Sequence, residues 1–353
     1  MIQIGKYIKL KAVLVFALLL ISAGCLKDNV NPASNFETSD AINMLTYLEA
    51  NGDIINSPAT KNAFISAQDL YSNLSNYVIL DIRDAQLFAD GHISGAINIQ
   101  SSDLLTKVKS LGLSDGILVS QNGQSASYYC GLLRLYGLSN VYVLKFGMAG
   151  WNNHFATQWS SINGFRPTTY QYFNAVLYNK GPYTNLPEVE LGPVGDIKTK
   201  IENRIESLIK EKFEDGVIYF NSTTSSLAIY SRDAFSSNIY SLVDSTFDNE
   251  YIICYDTSTN YILPGNRSVY HPDHPPHSVS YNYYYDLKSI YYLQTIPTNR
   301  QIIVYSLDGH QSAFATAYLK LFGYNVKSVL FGATWLYPWL NPFPGSMDYP
   351  YVN

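Results

Sequence analysis

One pattern occurs twice in this chain of 353 residues, and it constrains the fold more than any other feature. The first copy, residues 116–151, reads GILVSQNGQSASYYCGLLRLYGLSNVYVLKFGMAGW, and the second, residues 301–335, reads QIIVYSLDGHQSAFATAYLKLFGYNVKSVLFGATW. Gly309 falls on Gly123, and Trp335 falls on Trp151. In both copies an apolar run, a polar loop around a glycine and an apolar-periodic segment predict a buried strand, a tight turn and a helix. Two α/β units are therefore expected.

The polar loops are the candidate functional segments. In α/β proteins the amides of such a loop, and the N-terminus of the helix after it, point at whatever lies there. The first loop comprises Ser120, Gln121, Asn122, Gly123, Gln124 and Ser125, and the second loop comprises Ser306, Leu307, Asp308, Gly309, His310 and Gln311.

Upstream of the first loop, residues 77–99 read YVILDIRDAQLFADGHISGAINI. With residues 140–151, NVYVLKFGMAGW, this segment resembles the rhodanese family over about residues 62–155. Asp81 and Arg83 match the family's D-x-R motif, and GHISGAINI, which contains His92, matches its second signature. The resemblance implies an α/β fold of two rhodanese-like domains, each with a central, mainly parallel sheet and helices on both faces.

The second half matches the same pattern less well. The segment HPPHSVSY places His274 on His92, and IYSRDAF near Ile229 resembles ISAQDLY near Ile65. The D-x-R motif is absent there, with Tyr255 or Asp256 near its expected place.

The resemblance places Ser120, and by the repeat Ser306, where active rhodaneses carry the cysteine that accepts sulfur as a persulfide. A serine hydroxyl neither forms a persulfide nor ionises near neutral pH. The chain has three cysteines, and Cys130 and Cys254 lie in apolar segments that predict buried core positions. No catalytic residue and no cofactor are therefore expected.

The N-terminus predicts export and lipidation. Lysines precede the short apolar run AVLVFALLLISA, which is typical of a signal peptide, and ISAGC resembles the bacterial lipobox, in which Cys25 becomes the lipidated first residue. We expect a signal peptide (1–24), a polar tether (25–40), a first domain (41–162), a linker (163–196), a second domain (197–345) and a tail (346–353). Residues 197–213 should form an amphipathic helix that opens the second domain.

These features predict a membrane-anchored, catalytically inactive binding or scaffolding module of the bacterial cell envelope, facing the periplasm or the cell surface. Its partner would be an unknown envelope or surface protein. A net charge of −5 without a basic stripe argues against nucleic acid. The alternative is a sulfurtransferase-like enzyme, or a protein that binds a small oxyanion through a non-standard loop. Neither loop contains the lysine or arginine that such an anion favours.

Two other sites are weak candidates. Ser306, His310 and Asp308 have the residue types of a hydrolytic triad, but three side chains from one short loop rarely converge as a triad requires. His271, His274 and His277 lie three residues apart, a spacing that a straight polyproline segment stretches too far for one zinc ion. We therefore expect no metal site.

Overall fold

The computed structural model describes residues 39–53, 55, 63–112, 114–162, 177–211, 213, 215–221, 226–231, 250–257, 274, 277–336 and 342–353. These residues belong to one compact unit, 37–353. We call residues 39–162 the first half, 177–336 the second half and 342–353 the C-terminal segment. The apolar run near the N-terminus, Cys25 and His271 lie outside the described residues.

The first half is built on a fully parallel five-stranded sheet in the order β1-β5-β4-β2-β3. Its strands are β1 (Phe64–Ile65), β2 (Tyr77–Asp81), β3 (Ile97–Asn98), β4 (Asp115–Val119) and β5 (Val141–Leu144). Its helices are α1 (Asp40–Ala50), α2 (Ala67–Ser72), α3 (Ala85–Ala89), α4 (Ser101–Ser110), α5 (Gln124–Leu135), α6 (Gly147–Trp151) and α7 (Thr157–Ile162). The first loop thus connects β4, at the centre of the sheet, to α5.

The sheet has apolar packing on both faces. Ile79 and Ile117 pack in one buried cluster with Trp151, whereas Leu80 and Leu118, the next residues along the same strands, pack in the other. Because successive side chains of a strand point to opposite faces, the core covers both sides of the sheet. This arrangement confirms the predicted α/β class.

The second half carries a six-stranded sheet in the order β7-β6-β11-β10-β8-β9. Its strands are β6 (Asp215–Asn221), β7 (Ser226–Ser231), β8 (Glu250–Tyr255), β9 (Val279–Tyr281), β10 (Gln301–Tyr305) and β11 (Val326–Val329). Its helices are α8 (Ile197–Lys210), α9 (His310–Leu321) and α10 (Ala333–Leu336). From β6 to β9 the order repeats that of the first sheet, and only the added edge strand β7 is antiparallel.

The position of β7 corrects one prediction. Ile229, which the sequence places on Ile65, lies in β7 and pairs with Ile218 of β6. The parallel neighbour of β11 is β6, just as β1 is the parallel neighbour of β5. The structural counterpart of Ile65 therefore lies in β6, one strand earlier than the sequence similarity indicates.

The two halves share a continuous hydrophobic cluster. Helix α5 packs directly on α9, and the contact is close at Gly131, where a Cβ atom would lie 3.1 Å from the Phe314 ring and 3.2 Å from Ala317. The amphipathic helix predicted at the start of the second domain is present as α8, and its apolar residues Ile201, Ile205, Leu208 and Ile209 are buried. Asp196 caps it by accepting a hydrogen bond from the amide of Thr199 at 2.8 Å.

The C-terminal segment returns from the second half to pack on the first half. Tyr349 stacks on Tyr71 with the ring centroids 4.1 Å apart, and Val352 forms an antiparallel bridge with His92. The Trp151 indole donates a hydrogen bond to the carbonyl of Pro350 at 2.9 Å. Residues predicted as a simple tail therefore belong to the packing of the first half. No helix in the described part of the chain is both long and apolar enough to cross a membrane.

Candidate functional site

The first loop wraps around the side chain of Ser120, which follows β4 directly and is only 2 % exposed. Its hydroxyl oxygen accepts hydrogen bonds from the amides of Gly123 at 3.1 Å and Ala126 at 3.3 Å. Gly123 has a φ of 85°, in the left-handed region where glycine has no Cβ penalty, and α5 begins at the next residue. The loop amides therefore converge on one oxygen atom.

The second loop repeats this geometry. Ser306 follows β10, is 1 % exposed, and its hydroxyl oxygen accepts a hydrogen bond from the amide of Ser312 at 3.1 Å. Gly309 has a φ of 83° and precedes α9. Ser306 and Ser120 thus occupy the same place, at the carboxyl end of a central strand and before a helix.

A glycine packs closely against the backbone of the serine in each loop. Gly147 and Gly332 both have a φ of 56°, and a Cβ atom on either would lie 2.0 Å from the carbonyl oxygen of Ser120 or Ser306, respectively. The amide of Met148 donates to the Ser120 carbonyl at 3.0 Å, and the amide of Ala333 donates to that of Ser306 at 2.7 Å. Both loops are therefore fixed by the segment that follows the next strand.

Each loop also forms hydrogen bonds with the opposite half. The first helical residue after each loop glycine, Gln124 or His310, reaches into the opposite half. Gln124 Oε1 accepts a hydrogen bond from the amide of Phe331 at 3.0 Å, and His310 Nε2 accepts one from the amide of Phe146 at 3.1 Å. Gln124 Nε2 also donates to Ser328 Oγ at 2.9 Å and to the Val329 carbonyl at 2.8 Å. The sequence placed Gln124 and His310 in candidate pockets, whereas the structure uses them as a contact between the halves.

The other loop residues serve local structure. Asn122 is buried, and its Oδ1 accepts a hydrogen bond from the amide of Gln124 at 3.0 Å. Gln121 donates through Nε2 to the carbonyl of Phe155 at 2.9 Å. Ser125 and Gln311 lie half-buried in the first turns of α5 and α9. None of these contacts forms a catalytic constellation.

Asp81 and Arg83 form a buried ion pair beside the first loop. Arg83 Nη2 donates to Asp81 Oδ2 at 2.7 Å and to the carbonyl of Gly91 at 2.7 Å, and Arg83 Nε donates to Asp81 Oδ1 at 3.0 Å. Asn98 Nδ2 donates to the carbonyls of Asp81 and Arg83 at 3.0 and 2.8 Å. The pair therefore holds the end of β2 to the turn that precedes His92.

His92 lies at the junction with the C-terminal segment. Its amide and carbonyl pair with Val352, its ring stacks on Phe88 at 3.7 Å, and its Nδ1 lies 3.0 Å from the Phe88 carbonyl. A Cβ atom on the preceding Gly91 would lie 2.5 Å from the Tyr351 ring, so the segment packs closely here. His92 therefore helps to hold the C-terminal segment against the first half.

The second half has different residues at the place of the D-x-R motif. Asp81 pairs with Val119, and Cys254 pairs with Tyr305, the equivalent residue before the second loop. The counterpart of Asp81 is therefore Cys254, and Tyr255 and Asp256, which the sequence places near the motif, are the next two residues. Asp256 takes the place of Arg83 and accepts a hydrogen bond from the amide of Leu307 at 2.7 Å.

The histidine candidates are separated by packing. His274 is buried with Nδ1 3.2 Å from Ser278 Oγ, and its ring contacts Tyr178. His277 packs on the same tyrosine with centroids 5.0 Å apart and has a φ of 60°. The register of β9 places His274 where the sequence predicts it, at the position in the second half that corresponds to His92 in the first half. Across the described residues, no three His, Cys, Asp or Glu side chains group as a metal ion would require.

The second loop does not assemble a hydrolytic triad. His310 Nδ1 lies 3.0 Å from Asp308 Oδ1, but its Nε2 accepts the amide of Phe146, and the Ser306 hydroxyl is hydrogen-bonded to Ser312. Burial alone would raise the pKa of Asp308, but His310, Lys145 and hydrogen bonds from His310 outweigh burial and hold it below the usual range. Asp308 also lies 3.4 Å from Lys145 Nζ. The imidazole therefore links a carboxylate to the other half of the molecule.

Both described cysteines are buried thiols, as the sequence predicts. Burial raises the pKa of Cys130 to about 11, against the opposing effect of Arg134, and its Sγ lies 3.3 Å from the Val141 carbonyl. Burial and the charge of Asp256 raise the pKa of Cys254 well above its ordinary value. Because the thiolate is the nucleophile, neither residue is poised to react near neutral pH.

Comparison of the sequence with known proteins finds relatives of the first half among rhodanese-like proteins. The profile of the rhodanese-like domain matches residues 66–154. The thiosulfate sulfurtransferase GlpE of Ectopseudomonas mendocina is 36% identical over 93 residues, which cover 26% of this chain and 84% of that protein. An uncharacterized protein of Buchnera aphidicola is 35% identical over 105 residues, covering 27% of this chain and 71% of the other.

Among solved structures, a rhodanese-related protein of Thermoplasma volcanium is 27% identical. The match covers 27% of this chain and 90% of that protein's chain, with a TM-score of 0.23. The family is assigned from the matching domain profile and from the sequence relatives, not from the solved structures. The chain belongs to the rhodanese family.

Proposed function

We propose that the protein is a tandem of two rhodanese-like copies that has lost sulfur transfer and acts as a binding or scaffolding module. The observation that carries this proposal is Ser120, a buried serine whose oxygen already accepts the amides of Gly123 and Ala126. Sulfur transfer through a persulfide requires a thiolate at this place. A hydroxyl with an ordinary high pKa cannot replace it.

The rest of the chain offers no substitute among its described residues. Cys130 and Cys254 are buried thiols with raised pKa values, and neither lies in a loop. A donor molecule would have to enter the core to reach either sulfur. The remaining cysteine, Cys25, is the proposed lipid attachment residue.

The charges around the second loop disfavour the oxyanion alternative. The amide of Leu307, a donor that an anion would use, already binds the carboxylate of Asp256 at 2.7 Å. Asp308 adds a second carboxylate to the same loop, and its nearest cation, Lys145, is engaged by it at 3.4 Å. The first loop carries no lysine or arginine. A dianion such as thiosulfate would meet repulsion at one loop and no charge partner at the other.

The mutual packing of the two loops supports a scaffolding role. In an enzyme the catalytic loop must admit a substrate, whereas here Gln124 and His310 place each loop against the opposite half. The hydrogen bonds, the α5–α9 contact and the shared core hold the two halves together in one compact unit. A compact unit of two linked α/β halves suits presentation of its outer surfaces to a partner.

We further propose that this body is lipid-anchored through Cys25 at the bacterial cell envelope, where its partner is an envelope or surface protein. The basis is the Lys-rich start, the short apolar run and ISAGC. Replacing Cys25 by serine should abolish fatty-acid labelling and move the protein to the soluble fraction. A labelled, membrane-bound Cys25→Ser variant would contradict the anchor.

The catalytic part of the proposal is tested with the thiosulfate:cyanide reaction, which converts thiosulfate and cyanide into sulfite and thiocyanate. The wild-type protein should form no thiocyanate above background, and persulfide labelling should find no modified residue. An active thiosulfate sulfurtransferase serves as the positive control. Thiocyanate formation that Cys130→Ala or Cys254→Ala abolishes would overturn the proposal and identify the nucleophile.

A further inference from the structure

A small cavity of about 190 Å³ lies beside the first loop, between the end of α3 and the segment that follows α6. Its polar lining residues are Asp90, Gln121, His154, Thr157 and Gln158. Phe155 contributes an apolar wall, and the guanidinium of Arg83 lies on its ring, 5.3 Å from the centroid. The cavity is separate from the contact between the two loops.

Most polar residues of this cavity are exposed, and one of them, Asp90, can only accept hydrogen bonds when it is ionised. Gln121 uses its Nε2 to donate to the carbonyl of Phe155, and its Oε1 is buried with no hydrogen-bond partner among the described residues. Asp90 contributes a carboxylate, which accepts one side-chain hydrogen bond from Gln86 at 3.2 Å. His154, Thr157 and Gln158 can each donate or accept. A ligand rich in donors would complete this set.

The charge of the cavity also favours a ligand that carries hydrogen-bond donors. Apart from His154, Asp90 is the only one of the described lining residues with an ionisable side chain, and none of them is a lysine or an arginine. Arg83, the nearby buried cation, is paired through Nε and Nη2 with Asp81, whereas its Nη1 has no hydrogen-bond partner among the described residues. The cavity is thus suited to a cation, whereas thiosulfate, the substrate in the name of the relative GlpE, is a dianion.

The size of the cavity limits the ligand. Sites for drug-sized molecules occupy roughly 300 to 1,000 Å³, so this cavity admits one side chain or one small molecule. The C-terminal segment helps to define it, because Tyr351 stacks on His154 with centroids 5.4 Å apart and contacts Phe155. One wall is therefore held in place by packing.

We propose that this cavity binds a single guanidinium or ammonium group, with the exposed carboxylate of Asp90 as the charge partner and the Phe155 ring as the apolar wall. The inference rests on the proposed binding role of the protein and assigns a ligand chemistry to its first half. The group can come from a small free amine or from an arginine or lysine side chain of a partner protein. Both sources present the same donors.

The test is calorimetric titration of the full chain at pH 8, where ordinary imidazoles are neutral. The probes are methylguanidinium, N-acetyl-arginine amide, thiosulfate and glycerol. Methylguanidinium should bind saturably with a Kd on the order of 1 mM, and added salt should weaken binding. Tighter binding of N-acetyl-arginine amide supports a partner side chain, and equal binding supports a small free cation.

Asp90→Asn should weaken guanidinium binding by about two- to fivefold, because it removes the charge of an exposed carboxylate and keeps the shape. Asp103→Asn, an exposed carboxylate on α4, is the matched control and should bind as the wild type does. Equal binding of glycerol or thiosulfate, no saturable binding, or an Asp90→Asn variant with unchanged affinity would overturn the inference. Thiocyanate formation by the wild type would refute the proposed function and leave the binding result standing.

Discussion

Gln124 and His310 occupy the same position in the two loops, and each accepts a hydrogen bond from a backbone amide of the opposite half. The amide of Phe331 donates to Gln124 Oε1 at 3.0 Å, and the amide of Phe146 donates to His310 Nε2 at 3.1 Å. Both donors are residues with positive φ, 60° for Phe331 and 63° for Phe146. The repeat has thus produced a reciprocal contact in which a segment of each half satisfies the other.

This reciprocal contact predicts a large effect of truncation. Gln124→Ala should lower the free energy of unfolding by about 1–3 kcal/mol, because it leaves the buried amide of Phe331 and the carbonyl of Val329 without the glutamine. His310→Ala should cost at least as much, since it also leaves a cavity beside Gly123. Denaturant unfolding measures both values.

His310→Gln is the control for this experiment, because it places in the second loop the residue that the first loop uses. The glutamine can accept the Phe146 amide, so the loss of stability should be clearly smaller than for His310→Ala. Equal losses in the two variants would show that the hydrogen bond to Phe146 contributes little.

Asp308 predicts a specific dependence of stability on pH. Its pKa is lowered in the folded state, since His310 and Lys145 outweigh the opposing effect of burial. The folded state therefore binds the proton more weakly than the unfolded state, whose aspartate pKa is about 4. The carboxylate contributes stability above that pH, and the contribution is lost as the pH falls below it.

The measurement is thermal unfolding of the wild type and of Asp308→Asn at pH 7 and near pH 3. The wild type should lose more stability on acidification than the variant does, because the variant has no carboxylate to protonate at this position. A variant with the same pH dependence as the wild type would show that other carboxylates dominate.

The sequence predicts the local structure well where the chemistry is local. A β strand, a glycine with positive φ and an apolar-periodic helix are short-range features, and the segments around Gly123 and Gly309 fold as expected. The position of His274 is also correct, because it lies a fixed number of residues before β9. The fold class follows from these segments and their order.

Features that depend on contacts between distant segments are not encoded in such patterns. The similarity of Ile229 to Ile65 predicts the wrong strand, since similar short apolar segments fit a parallel or an antiparallel edge. The exact counterpart of Asp81 is not visible in the sequence either, because only strand pairing shows Cys254 opposite Tyr305. The cross-contacts of Gln124 and His310 and the packing of the C-terminal segment have no local signal.

Removal of residues 346–353 should destabilise the first half. Tyr349 lies between Tyr71 and Trp151, and the segment supplies hydrogen bonds to Trp151, Asn152 and His92. Loss of the buried aromatic surface predicts a decrease of about 2–5 kcal/mol in the free energy of unfolding. Tyr349→Phe keeps the stacked ring and should be nearly neutral. A truncated protein with wild-type stability and unchanged Trp fluorescence would contradict the packing role.

Restoring cysteine at the two serine positions should give unequal results. In Ser120→Cys the sulfur would replace an oxygen that accepts the amides of Gly123 and Ala126, so these amides should stabilise a thiolate. In Ser306→Cys two carboxylates oppose negative charge, that of Asp308 on the same loop and that of Asp256, which follows β8 and accepts the amide of Leu307. The thiol at position 120 should therefore have the lower pKa.

The rate of alkylation by iodoacetamide as a function of pH measures the two pKa values. Polysulfide treatment followed by mass spectrometry should find one added sulfur on the cysteine of Ser120→Cys, and less on that of Ser306→Cys. Because position 120 is only 2 % exposed, the adduct should form slowly. It should form faster in Ser120→Cys/His310→Ala, where the imidazole that packs against Gly123 is absent. If Ser306→Cys reacted at lower pH than Ser120→Cys, the electrostatic difference assigned to the two loops would be wrong.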